Sequence, residues 1–172
     1  MQMVKKMVGG SFLFLFFLLI FAPKQEIYYK IEKELQKNGI VISNEKFSDN
    51  LWGLSIEDAD IFVKGVKVAK IKSLDLNIFF LYNKLSIEKV TTDKAIQNIV
   101  PKYIKSATAI FSIIKPYKIS INGVGSFGEI KGGVYLNMNK IFLRVTDVKD
   151  ISSFKGFLKK DTEGLYYEKF FN

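Results

Sequence analysis

Residues Gly9–Pro23 read GGSFLFLFFLLIFAP, a run without one charged side chain, shortly after Lys5 and Lys6, with only Met7 and Val8 between. No other stretch of the chain is as apolar. A segment of this kind is costly to leave in water, and it fixes the first thing the chain must do, which is to bury it. The uncharged segment extends from Met7 to Pro23, and as a helix its 17 residues span ~25 Å, near the ~30 Å of a hydrocarbon core. Phe12, Leu13, Phe14, Leu15, Phe16, Phe17, Leu18, Leu19, Ile20 and Phe21 are the expected membrane anchor. Lys5, Lys6 and Lys24 would snorkel to the two interfaces, with Tyr28 and Tyr29 at headgroup level. Basic residues ahead of the run place the N-terminus in the cytoplasm, and a long following domain crosses regardless of its own charge.

Two other fates of the same segment compete. A cleavable leader shares the basic start and apolar centre, but cleavage after Ala22 would set Ile20 and Pro23 at unfavourable positions around the cut. A prepilin-like leader would be cut after Gly9 or Gly10. Pilin-like chains carry a glutamate at the fifth mature position, where this chain, counted from Ser11, has Leu15; Pro23 also interrupts the long helix such subunits need. The alternative to an anchored protein is therefore a minor pilin-like structural subunit processed after Gly10.

Beyond the run, the chain is long enough for one domain with a real core. It has neither cysteine nor histidine. Stability must come from packing rather than disulfides, and Ser–His–Asp or Cys–His catalysis is excluded, together with the commonest transition-metal ligand. The expectation is a non-enzyme without cofactor or metal. Net charge is +9, yet Arg144 is the one arginine among 26 basic residues and the lysines are scattered. Specific phosphate or base readout favours the planar arginine fork, so no nucleic-acid readout is expected.

The expected organisation is a cytoplasmic N-terminus at 1–6, a transmembrane helix at 7–23, an amphipathic juxtamembrane helix at 24–39 and a periplasmic β-rich domain at 40–172. Ile27, Tyr28, Ile31 and Leu35 mark the amphipathic helix, and Asn38-Gly39 its stop. Short β-rich segments follow at Ile40–Phe47, Leu54–Val63, Val66–Asn77 and Lys84–Val90. The alternation is imperfect, since Phe62 falls on the polar side of Ile61 and Val63. Between Thr92 and Lys115 the residues Ala95, Ile96, Ile99, Tyr103, Ala107, Ile110, Phe111 and Ile114 fit a helix broken near Pro101, so a helical insert is expected at 92–115. Tyr117–Asn122, Glu129–Leu136 and Ile141–Thr146 alternate as strands, and Phe154–Leu158 with Leu165–Phe171 form a last pair about Asp161–Gly164. The fold class is mainly β (α+β): an N-terminal transmembrane helix followed by a curved antiparallel β-sheet domain with one or two helices.

Three features with the spacing of chemical sites fail on context. Gly123-x-Gly125-x-x-Gly128 matches a dinucleotide loop, but a strand rather than a helix follows it. The carboxylate pairs Asp58/Asp60 and Asp147/Asp150 lack the ligand-rich loop of a calcium site and read as solvated strand ends.

Family resemblance rests on other residues. The runs Gly39-Ile40-Val41-Ile42, Asn50-Leu51-Trp52-Gly53-Leu54-Ser55-Ile56-Glu57-Asp58-Ala59, Gly65-Val66-Lys67-Val68-Ala69, Leu74-Asp75-Leu76 and Phe80-Leu81-Tyr82-Asn83-Lys84-Leu85-Ser86-Ile87 resemble the start of AsmA-like proteins and of the type II secretion system protein N family. Gly125–Leu136 followed by Ile141–Val145 resembles a later hairpin of the secretion N proteins. Asp49-Asn50 departs from the glycine that commonly precedes Leu-Trp, and residues 92–115 fall outside the pattern. The resemblance implies a single-pass inner-membrane protein with a periplasmic sheet, no catalytic residues, and a role in secretion or DNA-uptake machinery or in envelope lipid handling. The implied partners are the lipid bilayer, other envelope or secretion-system proteins, and lipid acyl chains. An apolar groove or partner surface is expected at Leu51, Trp52, Phe62, Phe79 and Phe80, with ordinary core packing as the competing reading of each.

Overall fold

The computed structural model describes residues 14, 24–50, 53–79 and 81–171. The cytoplasmic start, nearly all of the expected anchor (Phe12–Phe21, Phe14 excepted), Lys5, Lys6, Leu51, Trp52 and Phe80 lie outside them, as does the expected cleavage region. Among the described residues, no helix is long and apolar enough to cross a membrane.

From Lys24 onward, helix α1 (Lys24–Lys37) leads into eleven strands: β1 (Ile40–Ser43), β2 (Lys46–Asn50), β3 (Gly53–Val63), β4 (Val66–Phe79), β5 (Tyr82–Thr92), β6 (Tyr103–Ser112), β7 (Lys118–Gly125), β8 (Gly128–Tyr135), β9 (Lys140–Val148), β10 (Lys159–Asp161) and β11 (Gly164–Phe170). All join one antiparallel sheet. Strands β3 to β9 follow one another as a meander, β11 then β10 close one edge, and β1 and β2 share the outer side of β3 at the other. Helix α1 ends where the sequence places its stop. Gly39 has φ +75°, a left-handed conformation that costs glycine little, and its N–H donates to the Gln36 carbonyl at 2.9 Å.

Residues directly opposite in an antiparallel ladder share a face, so the register sorts the whole sheet. One row runs Leu54, Leu76, Leu85, Ala109, Ile121, Gly132, Leu143, Tyr167 from β3 to β11. A parallel row runs Ile56, Leu74, Ile87, Ala107, Gly123, Ile130, Val145. Between them, on the other face, lie Ser55, Asp75, Ser86, Thr108, Asn122, Lys131, Arg144 and Tyr166. One face of the sheet is apolar across its full width and the opposite face is polar.

The segment 92–115 corrects the sequence expectation: it holds one short 3-10 turn, Lys94–Ile96, and the full strand β6. The cause is a line of irregularities across the sheet. Asp58, Lys72, Lys89 and Lys105 each pass through without a ladder partner in β3, β4, β5 and β6. Asp58 and Lys89 have φ of 57° and 50°. An extra residue moves every later side chain to the other face. In β6 it puts Ile104 on the same face as Ala107 and Phe111, a spacing of three and seven that imitates a helix. The same shift explains the broken alternation elsewhere: Ile56 continues as Ala59 in β3, and Ile71 as Leu74 in β4.

Candidate apolar binding site

Two covers close parts of the apolar face. At the β1–β5 side, Tyr28 of α1 joins Leu54, Ile56, Ala59, Ile71 and Val90 in one buried cluster, and Leu54 and Ile56 are only 1% and 2% exposed. The Tyr28 ring meets Phe47 edge-on at 4.9 Å. Tyr28, expected beside the bilayer, is buried against the sheet instead, whereas Tyr29 is exposed. Burial, with Glu45 and Glu32 nearby, raises the Tyr28 phenol well above its ordinary pKa.

At the other side a strap, residues 149–158, crosses back over β8, β9 and β11. Where β9 runs into the strap, its backbone passes close to Gly128 of the β7–β8 hairpin. Gly128 stands at φ +98°, and a methyl group there would collide with the Asp147 carbonyl. Two backbone bonds fix the strap's start: Lys149 N–H to Phe127 O at 3.0 Å and Asp150 N–H to Ser126 O at 3.1 Å. Lys102 Nζ donates to Asp150 Oδ2 at 2.8 Å and Ser152 Oγ to Asp150 Oδ1 at 2.6 Å. These donors, Lys102 first, hold the Asp150 carboxyl down to a pKa of about 2. Phe154 then sets its ring edge-on to buried Phe127 at 6.2 Å.

Beneath the strap is a cavity of about 310 Å3. Ile130, Leu143, Val145 and Tyr167 form its floor, Phe154, Phe157 and Leu158 its roof, and Pro101 and Phe127 its sides. Apart from the Tyr167 hydroxyl, these side chains offer no polar group. A space of this size and lining lies at the small end of ligand pockets. Between the two covers the apolar face stays half-buried: Leu85, Ala109 and Ile121 belong to the rows above yet are not fully covered. Toward the β4–β5 turn, Asn83 enters the apolar face between Ile78 and Phe111, and its buried Oδ1 has no hydrogen-bond partner.

Of the groove residues expected from sequence, Phe62 and Phe79 are described, and the fold separates them. Phe62 pairs with Lys67 and Phe79 with Tyr82, at opposite ends of β4. The floor and roof of the cavity are built instead from residues that sequence reading took for strands, and its sides from Pro101, read as a helix break, and Phe127, read as part of a turn. A clue lay in the glycines, since Gly123, Gly125, Gly128 and Gly132 deprive the apolar rows of side chains in β7 and β8. The glycine spacing that imitates a dinucleotide loop is the β7–β8 hairpin, and no helix follows it.

The carboxylate pairs are occupied by lysines. Lys72 donates to Asp58 Oδ1 at 2.9 Å, Lys67 lies 2.7 Å from Asp60 Oδ1, and Asn44 Nδ2 donates to Asp60 Oδ2 at 2.9 Å. Both carboxyls sit below the usual carboxylate range for that reason, and Lys149 approaches Asp147 at 3.4 Å. On the polar face, Arg144 makes a two-pronged bond to Asp161 at 2.8 and 2.9 Å and reaches Glu163 at 3.1 Å. No protein-family model, curated protein or solved structure matches this chain.

Proposed function

We propose that this chain is a membrane-tethered, non-catalytic binding protein whose apolar sheet face takes a lipid acyl chain. The uncharged segment at 7–23 would be the tether, with residues 24–172 on the far side of an inner membrane and a role in envelope lipid handling. The observation that carries the reading is the apolar cavity of about 310 Å3, continuous with half-buried rows that cross the sheet. Burial of apolar surface gains ~25 cal/mol per Å2, so an open face of this kind is costly unless something covers it part of the time. An acyl chain suits the site because the lining gives no group but the Tyr167 hydroxyl to recognise a polar ligand. A flexible alkyl chain needs only width and length. The mechanism is physical: bind the chain, shield it from water, release it.

Native mass spectrometry of the full-length protein released from membranes in nanodiscs tests this. The expected spectrum contains the protein with a lipid-sized mass increment. Leu143→Glu, which sets a carboxylate in the cavity floor, removes the increment while the fold persists by circular dichroism. Wild-type protein free of lipid under the same release conditions would refute the reading.

A further inference from the structure

At one end of the sheet, the hairpin tips are bonded side by side into a rim. Ile113 N–H donates to Leu81 O at 3.1 Å, tying the β6–β7 tip to the β4–β5 tip. Leu136 N–H donates to Tyr117 O at 2.8 Å, tying the β8–β9 tip to the β6–β7 tip. Phe171 N–H donates to Asn139 O at 2.8 Å and adds the end of β11. The rim bears large apolar side chains turned to solvent, foremost Ile114 at 82% exposure, with Tyr117, Ile113, Met138 and Phe170 beside it. Its segments 79–84, 112–118, 135–140 and 169–171 contain five lysines and no acidic residue. The turns at the opposite end mix both signs, with Asp93 and Asp150 among Lys64, Lys94, Lys102 and Lys149, so the rim differs in having no acidic residue in its segments.

The start of α1 points to the same end. The helix finishes at Gly39, whose carbonyl accepts from Lys64 N–H at 2.7 Å at the far end of β3. Tyr28 lies against Phe47, which pairs with Ile56 in mid-strand. Going back from Tyr28, α1 therefore climbs toward Gly53 and the rim, which sets its first residue, Lys24, at that end.

Resting on the tethered reading above, we propose that this rim is a second membrane contact, in which the tips Leu81, Ile113–Tyr117 and Met138 seat in the interface of an anionic bilayer. Exposed Ile, Met and Tyr prefer the headgroup boundary, and the lysines complement anionic lipid. The apolar rows on β5–β9 would then open toward lipid at their rim end. An acyl chain would pass between bilayer and sheet without crossing water.

The chain lacks cysteine, so a single introduced thiol reports one position. Full-length protein is reconstituted in vesicles of mixed zwitterionic and anionic lipid. Variants Ile114→Cys, Met138→Cys, Ser152→Cys and Phe14→Cys are each labelled with an environment-sensitive fluorophore and quenched by spin-labelled lipid. The expected result is strong quenching at positions 14, 114 and 138, several-fold above position 152, which reports water. Quenching at 14 with 114 and 138 no different from 152 would overturn the rim proposal and leave the tether intact. Absence of quenching at 14 as well as at 114 and 138 would overturn both.

Discussion

Leu54 and Leu143 occupy the same cross-sheet row, yet one is locked in a core and the other borders empty space, so truncating each to alanine separates packing from cavity. Leu54 is 1% exposed and packed in the cluster under α1. Leu54→Ala removes three carbons at ~0.8 kcal/mol each and leaves a void, which together cost about 3.5 kcal/mol. Leu143 is half-buried and its cavity side already lacks partner atoms, so Leu143→Ala costs about 1 kcal/mol. With a urea slope of ~2 kcal/mol per M, the midpoints fall by about 1.7 M for Leu54→Ala and 0.5 M for Leu143→Ala. The assay is urea unfolding of the full-length chain in one non-ionic detergent, followed by circular dichroism. Equal shifts at unchanged slope would mean that Leu143 is as tightly enclosed as Leu54, and the cavity under the strap would not exist.

Other perturbations follow from individual contacts. Asn83→Leu removes a buried oxygen that has no partner, and should stabilise the protein by ~1 kcal/mol in the same urea assay; destabilisation by a similar amount would show that Oδ1 is bonded. Asp150 has a depressed pKa, so its hold on the strap is complete above the ordinary value of 3.8 and is lost as pH falls toward about 2. Amide exchange of residues 151–158, corrected for intrinsic rates, should speed up across that window, and Asp150→Asn should show the fast rate already at neutral pH. Arg144→Lys keeps the charge but loses the fork to Asp161. Faster exchange confined to β10 and β11 is expected, with the rest of the sheet unchanged.

Much of the architecture is readable residue by residue. Helix α1 announces itself through Tyr28, Ile31 and Leu35 and through Gly39, and β3, β4, β5, β8 and β9 lie within a few residues of their alternating segments. The failure at 92–115 has a local cause, because one unpaired residue, Lys105, converts a two-residue rhythm into a three-residue step. The site was less accessible. Which face Leu143 shares with Leu54 depends on register across six ladders, and register is a property of pairs of strands. The strap resisted for another reason: Phe154, Phe157 and Leu158 are apolar enough for a strand. What makes them a roof is the anchoring of Asp150 to Ser126 and Lys102, contacts between residues far apart in sequence.

The most direct test of the central claim is photo-crosslinking of the full-length protein in vesicles carrying a fatty-acyl lipid with a diazirine at the chain end, with adducts mapped by peptide mass. The account predicts adducts on the apolar rows and the strap, among Leu85, Ile121, Ile130, Leu143, Phe154 and Tyr167, and their loss from the cavity in Leu143→Glu. Adducts confined to residues 7–23, with none on the sheet, would contradict it.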